Sequence, residues 1–237
     1  MPPSSDQLMI GLREKDPDRY FATLFAPAPR RAPLALLFLV NHELARAVEV
    51  ASEPPLALMR LQWWRELAEG APRAHELAAP LTAALARGLF SREALLGLID
   101  ARETQAEGLA PEEVAGFARA SGGALARMAG QVLGSDHPAL EDLGTAQALV
   151  GLVRNAEHRR AHRAEPRPED FAPREALLAE AARLLATRPP GGVAAAWGAA
   201  VFASRDLARL RAGQPCPARR GAGDRLAVLV AALTRRV

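Results

Sequence analysis

Apolar residues recur at spacings of three and four along most of the chain, between clusters of proline and glycine that lie a helix length apart. This spacing is typical of amphipathic helices, whereas strands would show strict alternation. The pattern therefore predicts about nine or ten helices and no strand. The predicted breaks lie at 26–29, 53–55, 134–138, 166–169, 189–192 and 213–223.

Local signals place several of the helix starts. Asp16 is followed by Pro17, and Ser91 precedes an apolar stretch, so both are predicted N-caps. Pro111 precedes two glutamates, which favour the positive end of a helix dipole. No repeat of 20 to 50 residues and no sustained heptad appears in the sequence, so we expect a compact helical bundle.

The composition agrees with an all-α fold. The chain has 237 residues, of which 49% are hydrophobic and only 5% aromatic, and alanine and leucine dominate the apolar set. This length favours one domain over 1–237, ending in a loop and a closing helix over 213–237. Cys216 is the only cysteine, so the chain has no internal disulfide and a reducing compartment is permitted.

Charge and hydropathy bear on location and partners. Thirty basic residues face 27 acidic ones, and Lys15 is the only lysine, so we expect no nucleic-acid binding. The start of the sequence resembles neither a signal peptide nor a membrane span, which predicts a cytoplasmic protein. The apolar stretch at 191–203 is too short to cross a bilayer and predicts a buried helix. The final apolar block ends in Arg235 and Arg236, which suits either an ordinary closing helix or one lying peripherally on the inner membrane.

The most informative segment lies at 32–66. It is preceded by DRY and LFAP, and it contains ALLFLVNHELAR and then RLQWWRE; LIDARE and two further helical stretches follow at 98–103, 117–134 and 144–163. In this order and spacing the chain resembles the squalene/phytoene synthase family over about 16–165, and the resemblance weakens beyond. Within the family it is most similar to the branch related to the mitochondrial complex I assembly factor of phytoene-synthase type.

The resemblance implies an isoprenoid-synthase-like helical bundle around a central apolar cavity. Synthases of the family use two aspartate clusters to hold the Mg²⁺ that neutralises a diphosphate leaving group. Here the first cluster would lie at 45–49, where Glu49 is the only carboxylate, and the second at 153–159, where Asn155 replaces an aspartate. A carboxamide is a poor Mg²⁺ ligand and a guanidinium repels the ion. We therefore expect no metal and no cofactor, and a non-catalytic binding protein; the resemblance implies a protein partner in complex I assembly.

Several polar positions are candidates for a cavity or ligand site. One stripe of a predicted helix carries Gln147, Arg154, Asn155 and His158, which would either line a relict cavity and bind an anion or form a solvated helix end. His158 and His162 also have the i, i+4 spacing of a zinc pair, but arginines flank them. The remaining candidates are Tyr20, Asn41, Glu43, Arg46 and Glu49, among which Arg46 is spaced to pair with either glutamate.

Two other functions stay open at this point. The first is an active head-to-head prenyltransferase in which Glu43, Glu49, Glu103 and Glu157 hold Mg²⁺ in an atypical site. The second is a lipid-binding module that keeps an isoprenoid or lipid ligand in the cavity without chemistry.

Overall fold

The computed structural model describes residues 3–217 and 219–234, and every regular element in these ranges is helical, which confirms the all-α prediction. Short 3₁₀ turns cover Pro111–Glu113 and Pro168–Phe171, and one π turn covers Arg119–Gly123. The α-helices are α1 (Ser5–Lys15), α2 (Pro17–Thr23), α3 (Ala28–Glu49), α4 (Pro54–Glu69), α5 (Ala78–Ala86), α6 (Arg92–Gly108), α7 (Val114–Ala118), α8 (Ala124–Val132), α9 (Ala139–Ala161), α10 (Arg174–Leu185), α11 (Ala194–Trp197), α12 (Ala199–Arg211) and α13 (Ala222–Thr234).

Turn chemistry sets most of the helix boundaries. All six predicted breaks fall at or beside helix ends. The Asp16 carboxylate accepts a hydrogen bond from the Arg19 amide at 2.9 Å, and the Ser91 hydroxyl accepts one from the Ala94 amide at 3.0 Å, so both predicted N-caps are confirmed. The described residues form thirteen α-helices rather than nine or ten, because short helices such as α2, α7 and α11 are separated from their neighbours by single turns.

Two long helices form the centre of the bundle. Helix α3 is buried on all sides from Leu34 to Val40 and packs against α1, α4, α6 and α8. Helix α9 packs against α8, α10, α12 and the π turn, and it carries the second group of buried apolar side chains. Burial of each leucine side chain stabilises the fold by roughly 1.5–3 kcal/mol, and these two helices carry many of the buried apolar side chains.

The π turn and α9 approach each other closely. A Cβ atom added to Gly122 would lie 2.5 Å from the Gly144 carbonyl oxygen and 2.6 Å from the Ala148 Cβ atom. Real Cβ atoms do not reach such distances, so both backbones can meet here only because glycine occupies the contact. The π turn and α9 therefore pack backbone against backbone at this point, with only small side chains beside the contact.

No helix among the described residues is both long enough and apolar enough to cross a bilayer. The stretch at 191–203 forms α11 and the start of α12 and is largely buried, as predicted. The closing helix is α13, which leaves Leu226, Val230 and Leu233 exposed. Arg235 and Arg236, on which the interfacial prediction rests, lie outside the described residues.

Candidate functional site

A cavity of about 360 Å³ lies inside the bundle, and α3, α6, α9 and α12 form its walls. Seven basic and five acidic side chains line it, against few large apolar ones such as Phe117 and Phe202. The expectation of an apolar central cavity is therefore wrong. The physical reason is that leucine and alanine side chains pack directly against each other, so the space left over lies where charged side chains meet.

Five of the predicted site residues line this cavity. Asn41 and Glu49 reach it from α3, and Gln147, Arg154 and Asn155 reach it from α9. The helices that carry the two expected cluster positions, α3 and α9, therefore both line this cavity. The carboxamides of Asn41, Gln147 and Asn155 make no hydrogen bond to any other described residue, so their donors and acceptors remain open to the cavity.

Two further predicted residues lie away from this cavity. Tyr20 packs against the apolar core around α3 and is absent from the cavity wall. His158 lines a neighbouring groove instead, where its ring stacks on His162 with centroids 4.1 Å apart. The groove shares Arg154 and Asn155 with the cavity, so the predicted stripe of α9 is split between two adjoining spaces.

The predicted ion pairs of Arg46 do not form. Glu43 pairs instead with Lys15 of α1 at 2.7 Å, and Arg46 is exposed. Burial raises the pKa of Glu43, but the hydrogen bond and charge of Lys15 outweigh it and hold that pKa below its ordinary value. Glu43 thus forms its ion pair with a residue of another helix rather than with Arg46 three positions away on its own helix.

The acids required by a prenyltransferase do not converge. Glu103 pairs with Arg65 at 2.8 Å and Glu157 pairs with Arg174 at 2.8 Å, and of the four acids of that hypothesis only Glu49 lines the cavity. Across residues 3–217 and 219–234, no group of three or more histidine, cysteine, aspartate or glutamate side chains is placed to hold a metal ion.

Two acids of the cavity, Asp206 and Asp18, are neutralised by one arginine. Arg220 donates to Asp206 at 2.6 Å and to Asp18 at 2.7 Å, with its guanidinium 4.9 Å from the Phe202 ring. Arg154 adds a third contact, 3.3 Å from Asp206. Burial raises the pKa of Asp206, but the hydrogen bond and charge of Arg220 lower it further, so the net shift is downward. A carboxylate held in this way is already compensated and has little need of a cation.

Arg159, which lies at the end of the second cluster position at 153–159, is also paired within the protein. Its Nε donates to Asp170 at 2.8 Å, and Asp170 belongs to the 3₁₀ turn Pro168–Phe171. Burial raises the pKa of Asp170, but hydrogen bonds from Arg159 and the Arg167 amide lower it more. The guanidinium thus fixes the chain after α9 against the cavity wall.

Arg102 lines the cavity and, like Arg167, forms no ion pair with any described carboxylate. Its Nη1 donates to Oε1 of the Gln105 side chain at 2.8 Å, and the guanidinium lies 5.3 Å from the Phe117 ring centroid. Burial lowers the pKa of Arg102 to about 10. Sequence reasoning missed this residue.

A signal for two of the missed residues exists in the helical period. Arg102 follows the buried Leu98 by four positions, and Asp206 follows the buried Phe202 by four. A charged residue on the apolar face of a helix is a strong indication of a buried polar site. Arg220 carried no such signal, because it lies in the loop before α13.

Comparison with known proteins adds sequence relatives and a fold. Residues 12–167 match the family model described as squalene/phytoene synthase. Mouse and human proteins named NADH dehydrogenase (ubiquinone) complex I, assembly factor 6 are 29% and 28% identical to the chain over 155 residues. These matches cover 60% of this chain and 46% of each relative, so the chain spans about half the length of the curated relatives it matches.

The overall fold is that of a solved isoprenoid enzyme. A crystal structure of a dehydrosqualene synthase in complex with ligand aligns with a TM-score of 0.72 and covers 97% of this chain and 95% of that one. Sequence identity in this alignment is only 10%, so the similarity establishes the fold and nothing of the chemistry.

Proposed function

We propose that this chain, which belongs to the squalene/phytoene synthase family, is a non-catalytic member that acts by binding in the assembly of respiratory complex I. The names of its mouse and human relatives support the assembly role. The arrangement of acids in the cavity supports the absence of the family reaction.

The observation that carries the proposal is the pairing of carboxylates with arginine. Ionisation of a prenyl diphosphate needs Mg²⁺ held by several free carboxylates. Here Asp18 and Asp206 share Arg220, and Asp16 pairs with Arg19 at 2.7 Å. Loading Mg²⁺ would require these ion pairs to break, and the freed guanidiniums would repel the ion at short range.

An assay of the family reaction tests the catalytic side. Purified protein is incubated with Mg²⁺ and farnesyl or geranylgeranyl diphosphate, with a dehydrosqualene synthase in parallel as positive control. We expect no pyrophosphate release above the no-enzyme blank. Release of pyrophosphate together with a C30 or C40 product would reject the non-catalytic assignment and restore the prenyltransferase alternative.

A genetic experiment tests the assembly role. Deletion of the gene should lower the amount of assembled complex I on native gels while the other respiratory complexes keep their level, and the intact gene should restore it. Normal complex I in the deletion strain would remove the assembly role without reviving the enzymatic one. A protein partner that co-purifies with the tagged chain from wild-type cells would then identify the contact.

The location belongs to the same proposal. We expect the protein in the cytoplasm, with peripheral contact to the inner membrane as the alternative. Fractionation followed by a carbonate wash separates the two, because a peripheral protein is released by the wash and a cytoplasmic one never sediments. A prenyl or acyl chain that co-purifies would favour the lipid-binding module instead.

A further inference from the structure

We propose that the cavity binds a phosphate-bearing anion directly, through the Arg102 guanidinium and the open carboxamides of Asn41, Gln147 and Asn155, without a divalent cation. This site is independent of the complex I role, since it follows from the side chains of one cavity. The ligand is a small polar phosphate compound, either free in solution or the headgroup of a lipid.

Arg102 lacks the compensation that four of the other five arginines of the cavity have; Arg167, the fifth, donates to the Glu49 backbone oxygen at 3.3 Å instead of forming an ion pair. Arg19, Arg154, Arg159 and Arg220 each pair with an aspartate, whereas Arg102 contacts only the Gln105 amide and the Phe117 ring. A desolvated guanidinium without a directly paired counter-ion is costly; the charge of Glu49 offsets part of this cost, and an anionic ligand would offset more of it. The guanidinium also presents a planar fork of donors, which suits phosphate oxygens.

The three carboxamides supply the remaining contacts from two other directions. Asn41 lies on α3, and Gln147 and Asn155 lie on α9, so together with Arg102 on α6 they surround the cavity from three helices. Carboxamides donate as well as accept, and they leave the charge balance unchanged. These four side chains line one polar space and can donate hydrogen bonds into it.

The cavity wall also restricts the charge and polarity of the part of the ligand that is not phosphate. Glu49 and Glu169 line the cavity without an ion pair among the described residues; Glu49 is exposed, and the buried Glu169 accepts from Gln105 at 3.5 Å. These acids confine the anion to the neighbourhood of Arg102 and favour a ligand whose other end is uncharged or cationic. Charged and polar side chains outnumber the large apolar ones in the wall, so a prenyl tail should add little affinity.

The test is a calorimetric and thermal-shift titration of the full chain with inorganic phosphate in the presence of EDTA. We expect saturable binding to the wild type and a loss of about 10- to 100-fold in affinity for Arg102→Gln, as expected for charge-assisted hydrogen bonds. Arg60→Gln is the matched control, because Arg60 is an exposed helical arginine that makes no ion pair with the described residues. It should bind phosphate as the wild type does.

Second measurements keep each outcome decisive. If Arg102→Gln fails to fold, Asn41→Ala should weaken phosphate binding in its place. Glycerol 3-phosphate and vesicles containing phosphatidic acid distinguish a free ligand from a headgroup, since only one of them should compete with inorganic phosphate at low concentration. Binding that needs Mg²⁺, equal binding by wild type and Arg102→Gln, or much tighter binding of farnesyl diphosphate than of pyrophosphate would each overturn the site.

Discussion

Arg220→Ala is expected to be the most destabilising single change at a charged residue of this chain. The side chain is 9% exposed and joins Asp206 of α12 to Asp18 of α2, which lies 202 positions earlier in the sequence. Its removal leaves Asp206, which is 1% exposed, with only its weaker contacts to Arg154 and Arg209.

The magnitude follows from how much of each pair is buried. Breaking a fully buried pair by removing one partner costs about 3–5 kcal/mol. The Asp18 pair contributes less than a fully buried one, since its carboxylate is 21% exposed, and two arginines still face Asp206. We therefore expect a loss of about 2–4 kcal/mol in the free energy of unfolding, which lowers the Tm by roughly 5–15 °C for a chain of this size.

Thermal and urea denaturation followed by circular dichroism measure this effect. Arg220→Met separates the charge from the contact with Phe202, because methionine keeps part of the apolar packing; it should recover only a small part of the loss. Arg183→Ala is the control, since Arg183 is 66% exposed and pairs only with Glu180 on its own helix, and it should change nothing measurable. A Tm for Arg220→Ala within about 2 °C of the wild type would show that the network does not stabilise the fold.

Three further predictions concern packing, acid stability and reactivity. Gly122→Ala should destabilise the protein by several kcal/mol, because the added Cβ would overlap the Gly144 carbonyl. In the control Gly97→Ala, in α6, the added Cβ meets nothing within 4 Å, so this change should stabilise the protein by about 0.5–1 kcal/mol. Equal Tm shifts for the two variants would contradict the close approach. The free energy of unfolding should fall as the pH drops below about 4. The pKa of Asp206 is lower in the native state than in the unfolded chain, so the unfolded state binds more protons at low pH. A urea midpoint that stays constant down to pH 3 would contradict this. Cys216 should react slowly with iodoacetamide at pH 8, because burial and the Asp206 charge raise its pKa to about 11. Mass spectrometry that finds the same alkylation rate in buffer and in urea would contradict this prediction.

Local signals in the sequence were sufficient for most of the fold. The helix breaks and the caps at Asp16 and Ser91 depend on residues within a few positions of each other, and these predictions are confirmed. The meeting of Asn41 and Gln147 at one cavity followed from helical period together with the family resemblance. The breaks and caps need only short-range information, whereas the meeting of Asn41 and Gln147 also needed the resemblance.

The chemistry of the cavity depends on contacts that no local pattern contains. Glu43 pairs with Lys15 of another helix rather than with Arg46 three positions away, and Arg220 finds Asp18 from the far end of the chain. Since charges select partners by distance in space, the sequence could count the arginines but could not say which carboxylates they would neutralise. That selection is what makes the cavity polar.

Lys15 gives this protein a practical advantage for experiments. It is the only lysine of the sequence, it borders the cavity, and its side chain is 31% exposed. An amine-reactive fluorophore would therefore label one internal position, in addition to the terminal amine, directly beside the space where occupancy matters. A photo-crosslinker attached at the same nitrogen would report which molecule comes within reach of that rim in the cell.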